Sequence, residues 1–420
     1  MDSSREPLAA RYRSVRAATE ELAAPLSAED QLLQSMPDCS PTKWHRAHTT
    51  WFFEEFVLTP HAPGWTRVDP AYAFLFNSYY DAVGARHPRP RRGMLSRPAL
   101  AEVAGYRERV DEAMLLLLAR APEDRLEALR PVVELGLAHE EQHQELILTD
   151  LLHAFSQNPT LPAYRSPRPR GPAAGAAPLR FVPFEGGLVE IGSAEETGFS
   201  FDNEGPRHRA FVAPFALGSR LVTCGELRAF IDAGGYRTPS LWLSAGFDLV
   251  RAEGLEAPLY ARVEGGALLL FGLEGEREAD DAEPARHLSY YEADAVARFL
   301  GARLPTEQEW EVAAVRAVLE GNFRESGALA PLPASTAAGE PAQLFGDCWE
   351  WTASAYSPYP GYHPAAGALG EYNGKFMVGQ MVLRGGSCFT PRGHVRPGYR
   401  NFFLPGTCFQ MSGARLARDR

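Results

Sequence analysis

Residues 135–150, LGLAHEEQHQELILTD, place two histidines four positions apart inside a run that reads as helix. Residues i and i+4 lie one turn apart on a single helix face, so His139 and His143 can reach one ion. The spacing alone is a weak signal, because two solvated or core-edge histidines give the same pattern. Their neighbours sharpen it. The face i, i+4, i+7, i+8, i+11 reads Leu135, His139, Gln142, His143, Leu146, a largely apolar stripe expected to turn inward. Upstream, CSPTKWHRAHTTWFFEEFVL (39–58) gives a face of Trp44, His48, Phe52 and Glu55, which turns a third histidine inward. Three imidazoles meeting in a core satisfy one another poorly unless a cation sits among them. His45 falls one residue off that stripe and is expected to be exposed. Glu140, Glu141 and Glu145 fall off the His139/His143 face and read as surface residues.

Three neutral imidazoles suit iron, zinc or copper, with the remaining positions open to water or substrate. Without a carboxylate ligand the site keeps the full charge of the ion, which favours an anionic ligand such as a thiolate or selenolate.

Around this motif the first 155 or so residues read as four helices. One spans 7–23. A second has Ser40 as N-cap and Pro41 as its first helical residue. A third covers 98–121, and the fourth starts near 131 and runs to about 155. That pattern predicts a four-helix bundle with core sites built from facing side chains. The segment QNPTLPAYRSPRPRGPAAGAAP (157–178) is too rich in proline and glycine for a helix or central strand and reads as a linker. Beyond it come short apolar segments, many glycines and few helices, an α+β pattern. CGELRAFIDAGG (224–235) and SYYEADAVARFLGARLPTEQEWEVAA (289–314) read as helical, GGLVEIG (186–192) and MVLRGGS (381–387) as strands. The expected division is a helical domain over 1–158, a linker over 159–178 and an α+β domain over 179–420.

A net charge of −11 argues against nucleic-acid binding. No apolar run approaches membrane-spanning length, and the charged N-terminus has no signal-peptide core. Five scattered cysteines, with no CxxC pair, point to neither a zinc site nor a disulfide framework. A cytoplasmic protein is expected.

SMPDCSPTKWHRAHTTWFFEEFVL (35–58), FLFNSYYDAVGARHPRPRRG (74–93) and AHEEQHQELILTDLLHA (138–154) resemble the DinB-like domain of the sulfoxide synthases of ergothioneine biosynthesis. ARLPTEQEWEVAA (302–314), FGDCWEWTASAYSPYPGY (345–362), GALGEYNGKFM (367–377), VLRGGS (382–387) and VRPGYRNFF (395–403) resemble their second domain. That domain is similar to the formylglycine-generating enzymes and has a C-type-lectin-like fold. The resemblance covers nearly the whole chain. It implies one non-heme iron(II) held by His48, His139 and His143, with O2 as co-substrate. The substrates it implies are small molecules: hercynine (N,N,N-trimethylhistidine), reacting at its imidazole C2, and a sulfur or selenium donor.

Site roles follow from the same resemblance. Tyr79 and Tyr80 match tyrosines that supply protons or electrons at the iron, against a plain aromatic-packing role. Arg89, then Arg86, are candidates for gripping a substrate carboxylate. Gln142 and Asn401 are candidates for hydrogen bonds to hercynine. Phe402 or Phe403 would face its trimethylammonium group. Formylglycine-generating activity is disfavoured because Cys388 stands alone after RGGS where those enzymes carry paired cysteines, and the chain end ARLARDR argues against a fused methyltransferase of the ovothiol type.

The donor is the open question. Members using γ-glutamylcysteine carry Trp-Asp where this chain has Phe402-Phe403. The Phe-Phe branch uses cysteine and continues with Arg-Trp-Gln, whose arginine grips the cysteine carboxylate. Here Cys408-Phe409 stands in place of Arg-Trp. Losing that contact would cost roughly 1.5–3 kcal/mol of cysteine binding, unless Arg396 or Arg400 replaces it. A donor without a carboxylate would lose nothing, so the reading leans to a selenoneine synthase with a selenosugar donor. The alternative is a hercynine sulfoxide synthase using cysteine. A metal-free binding module and a zinc-dependent thiol-transfer enzyme are the remoter readings.

Overall fold

The computed structural model describes residues 5–169, 175–194, 198–335, 340–364, 370 and 372–420. The chain forms two compact units. The first is Met1–Pro159 with Pro364–Tyr372, and the second is Thr160–His363 with Asn373–Arg420.

The first unit contains four long helices: α1 (Arg5–Ala23), α2 (Thr42–Phe53), α3 (Leu100–Arg120) and α4 (Glu123–Ser156). Helix α2 packs on α3 and α4, and α1 packs on α4 and α3. All twelve residues of α2 are buried. It continues into a π-helical turn, Glu54–Leu58, a widened turn often found beside functional sites. Its N-cap is Pro41, not Ser40. The Ser40 amide instead donates to Asp150 Oδ2 at 2.7 Å, and its hydroxyl accepts from Arg92 at 2.9 Å.

Helix α4 starts eight residues earlier than the sequence reading placed it and carries Pro131 inside. Glu123 and Asp124 occupy its first turn, where acidic side chains complement the helix dipole. Pro131 leaves the Glu127 carbonyl without its usual donor, but both residues are exposed, so water can replace the lost bond.

Among the described residues, the second unit holds four small sheets. Strands β1 (Phe181–Phe184), β4 (Phe215–Leu221) and β12 (Arg415–Asp419) form an antiparallel sheet in the order β1-β4-β12. Strands β2 (Gly187–Ile191) and β3 (His208–Val212) make a hairpin. Strands β5 (Ala261–Glu264), β6 (Ala267–Gly272) and β7 (Gly275–Glu278) form a meander. The fourth sheet has the order β10 (Asn401–Phe403), β9 (Met381–Arg384), β8 (Trp349–Ala355), β11 (Ser412–Gly413), with β11 parallel to β8.

Helices α5 (Cys224–Asp232), α7 (Tyr290–Phe299) and α8 (Glu307–Ala314) each open on a capping box: Thr223 with Glu226, Ser289 with Glu292, Thr306 with Glu309. The stretch read as helical over 289–314 is thus α7 and α8, separated where Gly301 turns to a φ of 66°. Helix α6 (Ser244–Glu253) was not foreseen. The core of this unit is threaded by ion pairs, Arg415–Glu350 and Arg384–Glu311, beside the buried Trp310, Trp349 and Trp351.

Part of the proline-rich segment is held in this unit. The Tyr164 amide donates to the Leu273 carbonyl at 2.9 Å, and Arg165 pairs with Glu274 at 2.7 Å. Residues 170–174 of it lie outside the described residues. Among the described residues, no helix is long and apolar enough to cross a membrane.

Candidate metal centre

Helix α2 contributes His48, and α4 contributes His139 and His143 one turn apart. All three are buried, and their ligating nitrogens lie within 4.8 Å of one another. His48 Nδ1 is 2.5 Å from the Phe76 carbonyl oxygen, so Nδ1 carries the proton and Nε2 keeps its lone pair. That nitrogen lies 3.1 Å from His139 Nε2. Metal–nitrogen bonds of about 2.1 Å at a right angle put two nitrogens about 3 Å apart, and this separation matches that spacing. His139 Nδ1, buried, has no protein partner. The residues present fit a metal ion.

Burial is the main reason the three stay neutral. It drives His139 down to about 3, against an upward pull from Glu140. It drives His48 and His143 well below the ordinary histidine value, with the neighbouring histidines and Arg92 adding to the push. Neutral imidazole is the form that ligates. Trp44 and Trp51 sandwich His48 with near-parallel rings at 4.5 and 5.5 Å, which fixes its plane.

Two surface expectations fail here. His45 is buried, with Nδ1 2.7 Å from His143 Nδ1 and Nε2 3.0 Å from Asp150 Oδ2. Glu140 is fully buried, held by Arg16 at 2.8 Å, Arg107 at 2.9 Å and Thr19 at 2.7 Å. Burial pushes its carboxyl up, but the two guanidiniums outweigh that and bring it to about 2. Glu141 is also buried, 3.5 Å from Arg11, and Glu145 is half-buried. The face count fails because α2 and α4 are central helices with little solvent side at this level. The available signal was on α1, where Arg16 and Thr19 form a polar stripe matched to Glu140 and Gln144.

The tyrosine pair divides. Tyr80 is fully buried among Trp51, Phe52 and Phe56. Tyr79 is half-buried, stacked on Tyr80 at 4.7 Å and edge-on to Tyr372 at 5.9 Å. Tyr372 was not singled out from sequence. It belongs to the helical unit through the Pro364–Tyr372 segment. Its ring lies 5.8 Å from His139, and its hydroxyl donates to Gln142 Oε1.

Of the basic run, Arg86 and Arg89 are exposed. Arg86 pairs with Asp81 at 3.2 Å, and Arg89 donates to the Asp38 carbonyl. Arg92 is the buried member, its guanidinium 3.4 Å over Trp44 and bonded to Ser40 and Ser78. Burial lowers it to about 9.

The other candidates belong to the second unit. Arg400 is corrected: its fork is committed to Glu307, the Asn203 carbonyl and the Ser357 carbonyl, and it is buried. Arg396 is likewise paired with Glu204. Neither has a free fork to grip a donor. Asn401 opens β10 and accepts from the Phe402 amide. Phe402 stacks on Tyr356 at 4.0 Å, and Phe403 meets Phe409 edge-on at 6.1 Å. Cys408 is half-buried, and burial, reinforced by Glu292, pushes its thiol up to about 12.

Residues 11–147 match the DinB superfamily, and residues 173–339 and 333–420 match the sulfatase-modifying factor enzyme 1-like domain. The hercynine oxygenase of Mycolicibacterium thermoresistibile is 33% identical over 414 residues, spanning 91% of this chain and 88% of that protein. The hercynine oxygenase of Mycobacterium tuberculosis is 33% identical over 405 residues, spanning 91% and 92%. The formylglycine-generating enzyme of Streptomyces coelicolor is 30% identical over 260 residues, spanning 52% of this chain and 81% of that protein.

Proposed function

The chain belongs to the hercynine oxygenase family, and from that premise we propose that it joins a thiol donor to the imidazole C2 of hercynine, using O2 and one iron(II) held by His48, His139 and His143. The observation that carries this reading is the convergence of three buried, neutral imidazoles with, among the described residues, no carboxylate in the cluster. Iron(II) bound there would supply the redox chemistry that lets O2 react with a thiolate and an imidazole.

The overall reaction balances. A thiol S–H and the hercynine C2–H are broken, and a C–S bond and an S–O bond form. The four electrons released reduce O2, with one oxygen atom entering the sulfoxide and the other leaving as water. The chain's own residues serve this in three ways. The aromatic shell of Trp44, Trp51 and Phe52 keeps the imidazoles neutral and dry. Tyr372, packed on His139 and hydrogen-bonded to Gln142, is placed to give up a phenolic proton, with Tyr79 behind it. Arg92, buried and in no ion pair with a carboxylate among the described residues, puts a positive charge near His48 and His143. It is the arginine of the 86–92 run best placed to attract an anionic donor.

The relatives favour a sulfur donor. One observation supports the selenosugar reading: Cys408 replaces the family's gripping arginine, and Arg396 and Arg400 are already committed. A competition assay decides between them. The iron(II)-loaded protein receives hercynine, O2 and equal cysteine, γ-glutamylcysteine and selenosugar, and products are read by mass. A hercynine sulfoxide bearing cysteine is expected. A predominant selenium adduct would assign the selenosugar instead, and no adduct with iron bound would overturn the hercynine assignment.

A further inference from the structure

The three histidines of the triad are held in three different ways. His48 gives its Nδ1 proton to a backbone carbonyl, and His139 Nδ1 has no protein partner. His143 alone leans on a buried side-chain chain. Its Nδ1 is 2.7 Å from His45 Nδ1, His45 Nε2 is 3.0 Å from Asp150 Oδ2, and the same oxygen accepts the Ser40 amide at 2.7 Å. His45, His143 and Asp150 are each less than a tenth exposed.

Proton placement follows from one end. A carboxylate has no proton to give, so His45 Nε2 must be the donor to Asp150. In a neutral His45, Nδ1 is then an acceptor. Its partner there is His143 Nδ1, which must then carry the proton, and that assignment leaves the His143 lone pair on Nε2. A buried carboxylate costs stability unless it is paired, and here its Oδ2 is served by the Ser40 amide and by His45. The chain also links the two helices that carry the triad, since His45 lies on α2 and both His143 and Asp150 lie on α4.

We propose that His45 and Asp150 are positioning residues that fix the tautomer and orientation of His143, so that its Nε2 is presented to the metal. The proposal rests on the reading of the triad as a metal site. It assigns a metal-tuning role to a histidine that the face count had placed at the surface. Outer partners of this kind set ligand basicity and orientation, and their loss typically weakens metal binding about 10–100-fold.

The test uses Co2+ as a spectroscopic probe on the full chain. Visible ligand-field absorption and competition with a chelator give the affinity, and a thermal melt without metal gives the stability. His45→Phe keeps the bulk and loses both hydrogen bonds, and it is expected to bind Co2+ about 10–100-fold more weakly with a shifted absorption band. His45→Gln can accept through Oε1 and donate through Nε2, and it is expected to recover most of the affinity. A purely structural link between the helices would lower the melting temperature and leave the affinity and the band unchanged, which would overturn the proposal. Should His45→Phe fail to fold, 15N-histidine spectra of the wild-type protein loaded with Zn2+ decide directly. His45 is expected as the Nε2–H tautomer, and an Nδ1–H tautomer or an imidazolium would refute the relay. A wild-type protein that takes up neither ion would instead remove the triad reading itself, and the relay with it.

Discussion

At His139 two opposing effects act on one ring. Burial removes water from the imidazolium, while the Glu140 carboxylate next to it would stabilise that cation; burial wins and brings the histidine to about 3. The consequence for folding has a definite sign. Below the unfolded value of about 6.5 the unfolded chain binds a proton that the native His139 refuses, so the metal-free protein loses stability as pH falls. Between pH 6.5 and 5 this one residue costs on the order of 2 kcal/mol. Urea denaturation of the metal-free protein at pH 7, 6 and 5 should show that loss, and a flat profile would contradict it. Glu140 carries a second expectation. Glu140→Gln leaves Arg16 and Arg107 buried beside a neutral amide, although Asp111 and Glu20 still pair with them. A loss on the order of 3 kcal/mol in the same denaturation experiment is predicted. At this scale the sequence was half legible. The three clustered histidines could be found by counting along a face, because side chains that converge on one point share one. His45 and Glu140 could not, because that method assumes the opposite face is wet.

Between elements, the approach of α4 to α2 is set by a glycine one turn before His139. A β-carbon at Gly136 would lie 2.6 Å from a Phe53 ring carbon and 2.8 Å from a Phe52 ring carbon. Alanine is the better helix former by about 1 kcal/mol, but the rings meeting it are wedged against each other. Overpacking of this kind costs typically 1–3 kcal/mol. Gly136→Ala is therefore predicted to be net destabilising by about 1 kcal/mol and to weaken Co2+ binding by spreading the helices that carry the triad. A variant that melts higher and binds Co2+ unchanged would show that the rings give way. Element boundaries were readable where capping chemistry marks them, as at Thr223, Ser289 and Thr306. A proline does not by itself mark a helix start. Pro131 sits mid-helix, tolerated on an exposed side, and the acidic turn at Glu123 was the true signal.

For the whole molecule, both halves of the family pattern were legible as ordered motifs along the chain. The membership of Pro364–Tyr372 in the helical unit was not, since no periodicity marks which unit a loop joins. Tyr372 itself packs edge-on to His139. Tyr372→Phe removes only the hydroxyl. It is predicted to slow adduct formation by roughly 10²-fold while leaving the Co2+ affinity of the protein unaltered, as read by chelator competition. Equal turnover of the variant would move the proton-donor role to Tyr79. The family resemblance breaks locally at Cys408, whereas Arg400, inside the matching segment VRPGYRNFF, is committed to Glu307.

In the proposed function one iron, held by three histidines, couples O2 to bond formation on hercynine. Its most direct test measures oxygen uptake and product together, with iron(II)-loaded protein, hercynine and a thiol donor. One O2 consumed for each hercynine sulfoxide formed is expected, with no product under anaerobic conditions and none from the zinc-loaded protein. Product formed without O2, or with zinc in place of iron, would contradict it.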